Sequence, residues 1–520
     1  MRCRQNRNVT LGQFSKMAEA ENDPKHLLCD DAIGKVPDEV LQTILDKVSV
    51  IDAVSTGFLS RRWRDLWKHI SIIEFNPSWV ELTGKEIVAS LNQFVSLHIG
   101  HKIQKFSVRF TYKPEMSTNV DSWILFAINK HVEDLDLDFD VADTHIIKNT
   151  ANAPCYKLLP CVFNSKSLVR AVLCFCALEL PVSFRLQSLK VLRLHRIELP
   201  HDAIQMVTSN APVLQQLFLS DCNRTKDLRV HVAPNPRFCN LVIIENFFPV
   251  NHTTQMDIKA PTAFQVAFMG SMPRSKYRIE EVSECVKVHF NLQGMFTACG
   301  RYAINVLANE FKARKYENAL LEFLTGFRDT DTFHMCNWCI QLLSLRELRN
   351  LKRLRFNCTV LEITSAFHKW ELPGIIYMLK ACHKIEELII LMSPRDDEIK
   401  IPEDYLLEYD FQESKFLDIQ DLGQELENLR TVRFKSCHGD YQTWRNEYFD
   451  LKKFFHGAKL GIEITKLLRD HAVNLESIIF STKKQHIEIF FEDEDENDEE
   501  EEEEEEASPP NRRKIKICLD

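Results

Sequence analysis

The sequence predicts a mixed α/β (α+β) fold built from a short helical segment, a long repeat array and a disordered acidic tail. Residues 38–70 carry apolar side chains at helical spacing, first at positions i, i+3, i+4 and i+7. From residue 100 onward, a short apolar pattern that is typical of strands recurs at nearly constant spacing. Residues 492–506 contain 14 acidic residues and no lysine or arginine, a composition that repels itself and does not fold.

The length of 520 residues, 45% of them hydrophobic, indicates two to four folded units. We predict a disordered segment at 1–29, a helical segment at 30–72 and a repeat region at 100–360. A C-terminal region at 361–485 continues the repeats, and residues 490–520 form the acidic tail, which ends in a short basic cluster. That cluster, Arg512 to Lys516, could be a nuclear-import signal, although such clusters are common on solvated tails. Met17 is a possible alternative start.

Composition excludes several classes of protein. No apolar run approaches the roughly 18 residues that span a bilayer, so we expect no membrane segment. The net charge of −10 becomes +4 without the acidic run, and no clustered basic face predicts nucleic-acid binding. The 16 cysteines are scattered, and no signal peptide precedes them, which predicts reduced thiols and a cytoplasmic and/or nuclear location.

The N-terminal segment is predicted to form three short helices. Pro37 suits the first position of a helix, and Asp38 and Glu39 follow at the positive end of its dipole. Asp52 can cap a second helix and Ser60 a third. About 40 residues seldom bury enough surface to fold alone, so this segment requires a neighbour, either the following domain or another protein.

The residues of this segment resemble a plant-type F-box. The resemblance is carried by IGKVPDEVLQTIL at 33–45, DAV at 52–54 and LSRRWRDLW at 59–67. It implies a helical clasp that docks on the Skp-type adaptor of an SCF ubiquitin ligase and, through it, on a cullin. The residues that we expect at this interface, with the chain's own core as the alternative for each, are Pro37, Leu41, Ile44, Leu45, Val48, Trp63, Leu66 and Trp67.

Three departures from the family pattern keep a second hypothesis open. Val36 precedes the proline, residues 49–51 replace the usual turn, and Gly57 lies inside the second helix, where glycine costs roughly 1 kcal/mol relative to alanine. The alternative function is a stand-alone interaction scaffold whose F-box no longer binds an adaptor.

The repeated pattern is apolar-x-x-apolar-x-apolar. Six successive copies begin at residues 168, 189, 214, 241, 264 and 285, so their spacing is 21 to 27 residues. Leucine-rich repeats have this spacing, and each contributes a short strand to a stack because one repeat cannot bury its apolar edge alone. The copies are Ile103-Phe106-Val108, Val132-Leu135-Leu137, Leu168-Ala171-Leu173, Leu189-Leu192-Leu194, Leu214-Leu217-Leu219, Leu241-Ile244, Phe264-Ala267-Met269, Cys285-Val288-Phe290, Leu351-Leu354-Phe356, Ile385-Leu388-Ile390, Leu429-Val432-Phe434 and Leu475-Ile478-Phe480. Helices are predicted at 86–99, 203–209 and 316–327.

The C-terminal region is similar to the FBD-type region of plant F-box/leucine-rich-repeat proteins. The similarity is carried by LPGIIYMLKACHKIEELII at 372–390, LENLRTVRFKSCHGD at 426–440 and LLRDHAVNLESIIF at 467–480. This resemblance implies a target-binding role for the region, but the sequence identifies neither the target nor the residues that bind it.

No constellation of residues predicts catalysis, a metal or a cofactor. Cys336 and Cys339 form a Cys-x-x-Cys pair, but no second pair completes a zinc site. We interpret them, and also Cys155 with Cys161 and Cys174 with Cys176, as core thiols. Asp134, Asp136, Asp138 and Asp140 alternate with apolar residues and predict a strand with a solvated acidic face.

The function that the sequence predicts is that of a non-catalytic subunit that recognises a target protein for an SCF-type ubiquitin ligase. A hydrolase or ligase with its own active site is the third and weakest hypothesis.

Overall fold

The computed structural model describes residues 36–75, 84–139, 155–246, 253–270, 272–291, 310–368, 371–392, 422–436, 459–481, 487–490 and 516–519. One compact unit ends at Ala260 and a second begins at Pro261. The predicted disordered segment at 1–29, the acidic run and most of the basic cluster lie outside the described residues. None of the helices in the described part of the chain is both long and apolar enough to cross a membrane.

The first unit begins with helices and continues as a series of short strands. Its helices are α1 (Asp38–Leu45), α2 (Val50–Ser55), α3 (Trp63–Leu66), α4 (Gly84–Leu97), α5 (Ser117–Asn129) and α6 (Ala203–Ser209). Its strands are β1 (Ile72–Phe75), β2 (Lys105–Arg109), β3 (Asp134–Asp138), β4 (Tyr156–Lys157), β5 (Arg170–Cys174), β6 (Cys176–Ala177), β7 (Val191–His195), β8 (Gln216–Ser220), β9 (Leu228–His231), β10 (Asn240–Glu245) and β11 (Gln255–Lys259). Turns of 3₁₀-helix follow α2 at Thr56–Phe58 and α3 at Trp67–His69.

The main sheet of this unit is parallel, in the order β1-β2-β3-β5-β7-β8-β10. Alternate residues of each strand are buried, because successive side chains point to opposite faces. On β3, for example, Leu135 and Leu137 are buried while the aspartates between them are half-buried. The sheet therefore has one face in the core and one open face, and the predicted acidic strand is confirmed over 134–138.

The second unit repeats the same architecture. Its helices are α7 (Glu310–Gly326), α8 (Asn337–Leu348), α9 (Leu372–Ala381), α10 (Leu422–Glu425) and α11 (Lys459–His471). Its strands are β12 (Gln265–Gly270), β13 (Lys276–Glu280), β14 (Lys287–Asn291), β15 (Thr332–Met335), β16 (Val360–Ser365), β17 (Glu387–Met392), β18 (Thr431–Ser436), β19 (Ser477–Ser481), β20 (Ile487–Phe490) and β21 (Lys516–Leu519). The sheet order is β12-β14-β15-β16-β17-β18-β19-β21-β20, and every pair is parallel except β21 with β20.

Two helices form the centre of the second unit's core. Ten of the twelve residues of α8 and nine of the ten residues of α9 are buried. A helix that is apolar on every side packs inside a protein rather than on its surface. Gly374 permits this close packing, because its N–H donates a 2.8 Å hydrogen bond to the Ser344 Oγ.

The predicted ladder is confirmed at most of its copies, and three copies are corrected. No strand forms over Leu351-Leu354-Phe356; β16 begins nine residues later, and its pattern is Cys358-Leu361-Ile363. At β12 the buried residues are Ala263, Val266 and Phe268, one position before the predicted set, and Phe264 is exposed. At β10 the third member of the pattern is Ile243 rather than Ile244. A slip of one residue exchanges the two faces of a strand.

Two further differences concern residues for which no strand was predicted. The strand β15 lies inside the stretch that looked irregular, because its leading position is the polar Thr330, which is nevertheless buried. The strand β21 lies inside the segment predicted as a tail; alternating Ile517 and Leu519 suit a strand, and they pair with Ile478 and Phe480 of β19.

Candidate functional site

Helix α1 presents apolar side chains on two different sides. Leu41 and Leu45 are 0% and 1% exposed and belong to the core. Val40, Ile44 and Val48 are 47%, 48% and 41% exposed, and their spacing of four residues places them along one stripe. We call these three residues the α1 stripe.

Two more large apolar side chains are exposed close to the end of α2. Phe58 and Leu59 are 54% and 61% exposed, and they occupy the 3₁₀ turn and the position after it. Exposed apolar side chains that cluster in one short segment are typical of a protein-binding surface, whereas single ones need no explanation. The α1 stripe, Phe58 and Leu59 together form the candidate functional site.

Polar contacts fix the helices that carry this site. The Arg62 guanidinium forms an ion pair with the Asp38 carboxylate at 2.6 Å and also donates to the Val36 carbonyl oxygen, which joins the third helix to the start of the first. Ser49 caps α2, because its Oγ accepts a 3.1 Å hydrogen bond from the Asp52 N–H. The residues that replace the usual F-box turn at 49–51 therefore still start a capped helix.

The opposite side of the helices is joined to the repeat region. Asp46 accepts hydrogen bonds from the Ser71 N–H at 2.6 Å and from the Ser71 hydroxyl at 2.8 Å. The Trp67 ring lies 5.7 Å from the Phe94 ring of α4. The strand β1 then pairs with β2, the first strand of the ladder. The neighbour that the helical segment requires is thus the following domain on one side, which leaves the candidate site free on the other.

The eight residues predicted at an interface divide into two groups. Leu41, Leu45, Leu66 and Trp67 are between 0% and 6% exposed; this is a correction, because buried side chains cannot contact a partner. Pro37, Ile44 and Val48 are exposed, and Trp63 is half-buried. Val40, Phe58 and Leu59 are exposed members that the prediction omitted. The four-residue spacing of Val40, Ile44 and Val48 was a signal that could have found the first of these.

The cysteine pair is part of the core. Cys336 and Cys339 are 1% and 0% exposed, with their sulfur atoms 3.6 Å apart. Burial raises the pKa of the Cys339 thiol well above its ordinary value, so the reactive thiolate is disfavoured. This burial agrees with the interpretation of these residues as core thiols.

The other thiols follow the same interpretation with one exception. Cys174 and Cys176 are buried, and burial raises the pKa of both thiols. Cys155 is exposed and Cys161 is half-buried, so the interpretation of Cys155 as a core residue was wrong. Among the residues that the structure describes, no group of three or more His, Cys, Asp or Glu side chains could hold a metal ion.

Comparison with known protein families identifies two domains. The model of the At1g61320/AtMIF1 LRR domain matches residues 95–396, which is more than half of the chain. The F-box domain model matches residues 33–74, the segment that carries the candidate site.

Similar proteins from Arabidopsis thaliana have the same two domains in their names. The F-box/LRR-repeat protein At3g03360 is 22% identical over 76% of this chain and 77% of its own length. The F-box/FBD/LRR-repeat protein At1g13570 is 27% identical over 36% of this chain and 44% of its own length. The putative FBD-associated F-box protein At5g56440 is 26% identical over 52% of this chain and 62% of its own length. The predicted resemblance is confirmed: this chain belongs to the family of the At1g61320/AtMIF1 LRR domain and carries an F-box before that domain.

Proposed function

We propose that this protein is a substrate-recognition subunit of an SCF-type cullin–RING ubiquitin ligase. Its F-box docks on a Skp-type adaptor and through it on a cullin, and the repeat region, with the FBD-like region at 361–485, binds the target protein. The observation that carries the proposal is the exposed α1 stripe with Phe58 and Leu59, on helices whose other side is anchored to the repeat domain.

The anchored helices explain how binding alone can promote a reaction. Holding a target close to a ubiquitin-charged enzyme raises its effective concentration without any chemistry on this chain. The contacts between Trp67 and Phe94 and between Asp46 and Ser71 make the F-box continuous with the repeat region, so a target and an adaptor are held in a defined arrangement. We therefore propose that the chain itself catalyses no step.

The cellular location that suits this function is the cytoplasm, the nucleus or both. The free and mostly buried cysteines support a reducing compartment, where ubiquitin ligases of this class work.

The test is co-purification of the full chain with a plant Skp-type adaptor and a cullin. Ile44→Asp places a charge on the exposed α1 stripe, and Ile44 is 48% exposed, so the fold is expected to survive. Leu125→Asp is the matched control, because Leu125 is an equally accessible residue, 44% exposed, on helix α5. The proposal predicts a stoichiometric complex with the unmodified chain and with Leu125→Asp, and its loss with Ile44→Asp.

A folded chain that binds no adaptor would contradict the proposal. The protein would then be a stand-alone interaction scaffold. Detection of a thioester between ubiquitin and a cysteine of the isolated chain would favour an enzyme instead.

A further inference from the structure

The open face of the first unit's sheet carries one aligned row of side chains across seven strands. In register, the row is Glu74, Ser107, Asp136, Val172, Arg193, Phe218 and Val242. The row is charged or polar on β1 to β3 and largely apolar from β5 to β10. Its two halves therefore suit different chemistry.

The charges in the first half are paired within the chain. Lys105 contacts Glu74, the Arg170 guanidinium lies 2.7 Å from the Asp134 carboxylate, and the Arg109 guanidinium lies 2.9 Å from Asp138. Asp136 lies in the field of the same three cations, which partly offsets its charge. This half has little unsatisfied charge to offer to a partner.

The second half contains one cation in an apolar setting. Arg193 of β7 is exposed, with Val172 beside it on β5 and Phe218 on β8. Its guanidinium carbon lies 4.2 Å from the centre of the Phe218 ring. In the part of the chain that the structure describes, this guanidinium has no ion-pair partner, in contrast to Lys105, Arg109 and Arg170. We call Val172, Arg193, Phe218 and Val242 the Arg193 patch.

A guanidinium stacked on an aromatic ring is held flat, while the N–H groups at its edge remain available. These donors form a rigid fork that matches the two oxygens of a carboxylate. The half-buried Val172, Phe218 and Val242 offer apolar surface on both sides of that fork. A ligand complementary to the patch has one carboxylate and apolar side chains around it.

We propose that the Arg193 patch recognises a segment of the target protein in which an acidic residue lies between apolar residues. The proposal rests on the proposed function, because it assigns a chemical class to the target of that function. Arg193 pairs with the carboxylate, and Phe218 and the valines contact the apolar side chains on either side of it.

The test is selection from a random-sequence peptide display library on the immobilised full chain, followed by binding measurements with one selected peptide. The unmodified chain is expected to enrich Asp or Glu flanked by aliphatic or aromatic residues. Arg193→Glu is expected to lose that enrichment and to weaken the selected peptide by about tenfold or more, because a charged hydrogen-bonded pair is replaced by repulsion. Arg193→Met keeps the apolar contact with Phe218 and is expected to lose only the preference for acidic residues.

Arg185→Glu is the control, since Arg185 is an exposed arginine in a loop and its substitution changes the net charge equally. Enrichment that is unchanged in Arg193→Glu, or equally reduced in Arg185→Glu, would overturn the proposal. Self-association of the chain that Arg193→Glu abolishes would also overturn it, because the patch would then bind a second copy.

All variants are also tested for adaptor binding, which Arg193→Glu is expected to retain. Failed peptide selection with intact adaptor binding refutes only the Arg193 patch. Loss of adaptor binding by the unmodified chain refutes the proposed function itself.

Discussion

The indole of Trp67 packs against the ring of Phe94 with the ring centres 5.7 Å apart, and this contact joins the F-box to the first helix of the repeat region. Trp67 is 2% exposed and Phe94 is fully buried. Phe94 continues the cluster to Phe75 of β1, at a ring distance of 5.7 Å. The F-box is consequently an extension of the repeat domain's core and not an independent helical module.

The two tryptophans of the F-box are expected to have different roles. Trp67→Ala removes a fully buried ring, so the free energy of unfolding should fall by about 3–5 kcal/mol. Trp63 is half-buried, and Trp63→Ala should cost much less stability, about 1 kcal/mol, while weakening the adaptor complex. Chemical denaturation measures the first effect and adaptor titration the second. Equal stability losses in the two variants would contradict this assignment.

The buried His98 should make the first unit less stable in mild acid. Its Nε2 lies 2.9 Å from the Ile70 carbonyl oxygen, and burial lowers the pKa of the imidazole to about 4. The unfolded chain binds a proton near pH 6.5 that the folded chain excludes, so stability should fall as the pH decreases from about 6.5 to about 4.

His98→Gln should reduce this acid sensitivity, because the amide cannot be protonated there and can still donate a hydrogen bond to Ile70. His101→Gln, at an exposed histidine close by, is the control. Thermal melts between pH 4 and pH 7 measure the effect, and an unchanged slope in His98→Gln would exclude His98 as its source.

The buried Glu371 should have the opposite effect in the second unit. Its carboxyl accepts hydrogen bonds from the Ser365 hydroxyl at 2.6 Å and from the Ala366 N–H at 3.0 Å. Burial nevertheless raises the pKa of Glu371 to about 7. The folded chain then keeps a proton that the unfolded chain releases near pH 4.5, so stability should fall as the pH rises from about 4.5 to about 7, by at most about 1.4 kcal/mol per pH unit.

Glu371→Gln removes the titrating group and should flatten this part of the stability curve. Glu386→Gln, at an exposed glutamate of the same unit, should leave it unchanged. Urea unfolding at several pH values decides between the two outcomes; a curve that keeps its slope in Glu371→Gln would show that another group titrates.

Gly374 should tolerate no side chain. A Cβ at position 374 would lie 2.0 Å from the Ile340 carbonyl oxygen and 2.8 Å from the Ser344 Oγ, so helices α8 and α9 would have to move apart. Gly374→Ala should therefore cost about 1–3 kcal/mol or more, as overpacking does. Gly423→Ala is the control, because its nearest contact would be an ordinary 3.5 Å. Similar unfolding midpoints for the two variants would contradict the close helix packing.

Apolar periodicity predicted much of the fold, because a strand with one buried face has a pattern that local sequence reveals. It failed where the leading residue was not typical, at Thr330 and Cys358, both of which are buried. It also gave no sign of the turns after β5, β7 and β8, where Phe175, Arg196 and Asp221 adopt positive φ values of 55°, 52° and 50°. Glycine and asparagine are the usual residues at such positions, so the sequence contained no signal.

The candidate site could be located from the sequence but its surface could not. Helical spacing identified α1 as amphipathic, but both of its sides carry aliphatic residues, and periodicity alone cannot tell which side the domain covers. Only the packing of Trp67 on Phe94 and of Leu41 and Leu45 in the core determines that Val40, Ile44 and Val48 remain exposed. Arg193 and Phe218 are far apart in sequence and meet only through the register of β7 and β8.

The most direct test of the F-box assignment is amide hydrogen exchange of the full chain with and without a plant Skp-type adaptor. The account predicts slower exchange in α1 and in residues 56–59 when the adaptor is added, and no change in α5 or in strands β7 and β8. Slower exchange in the open-face strands but not in α1, or no change anywhere in a folded chain, would contradict it.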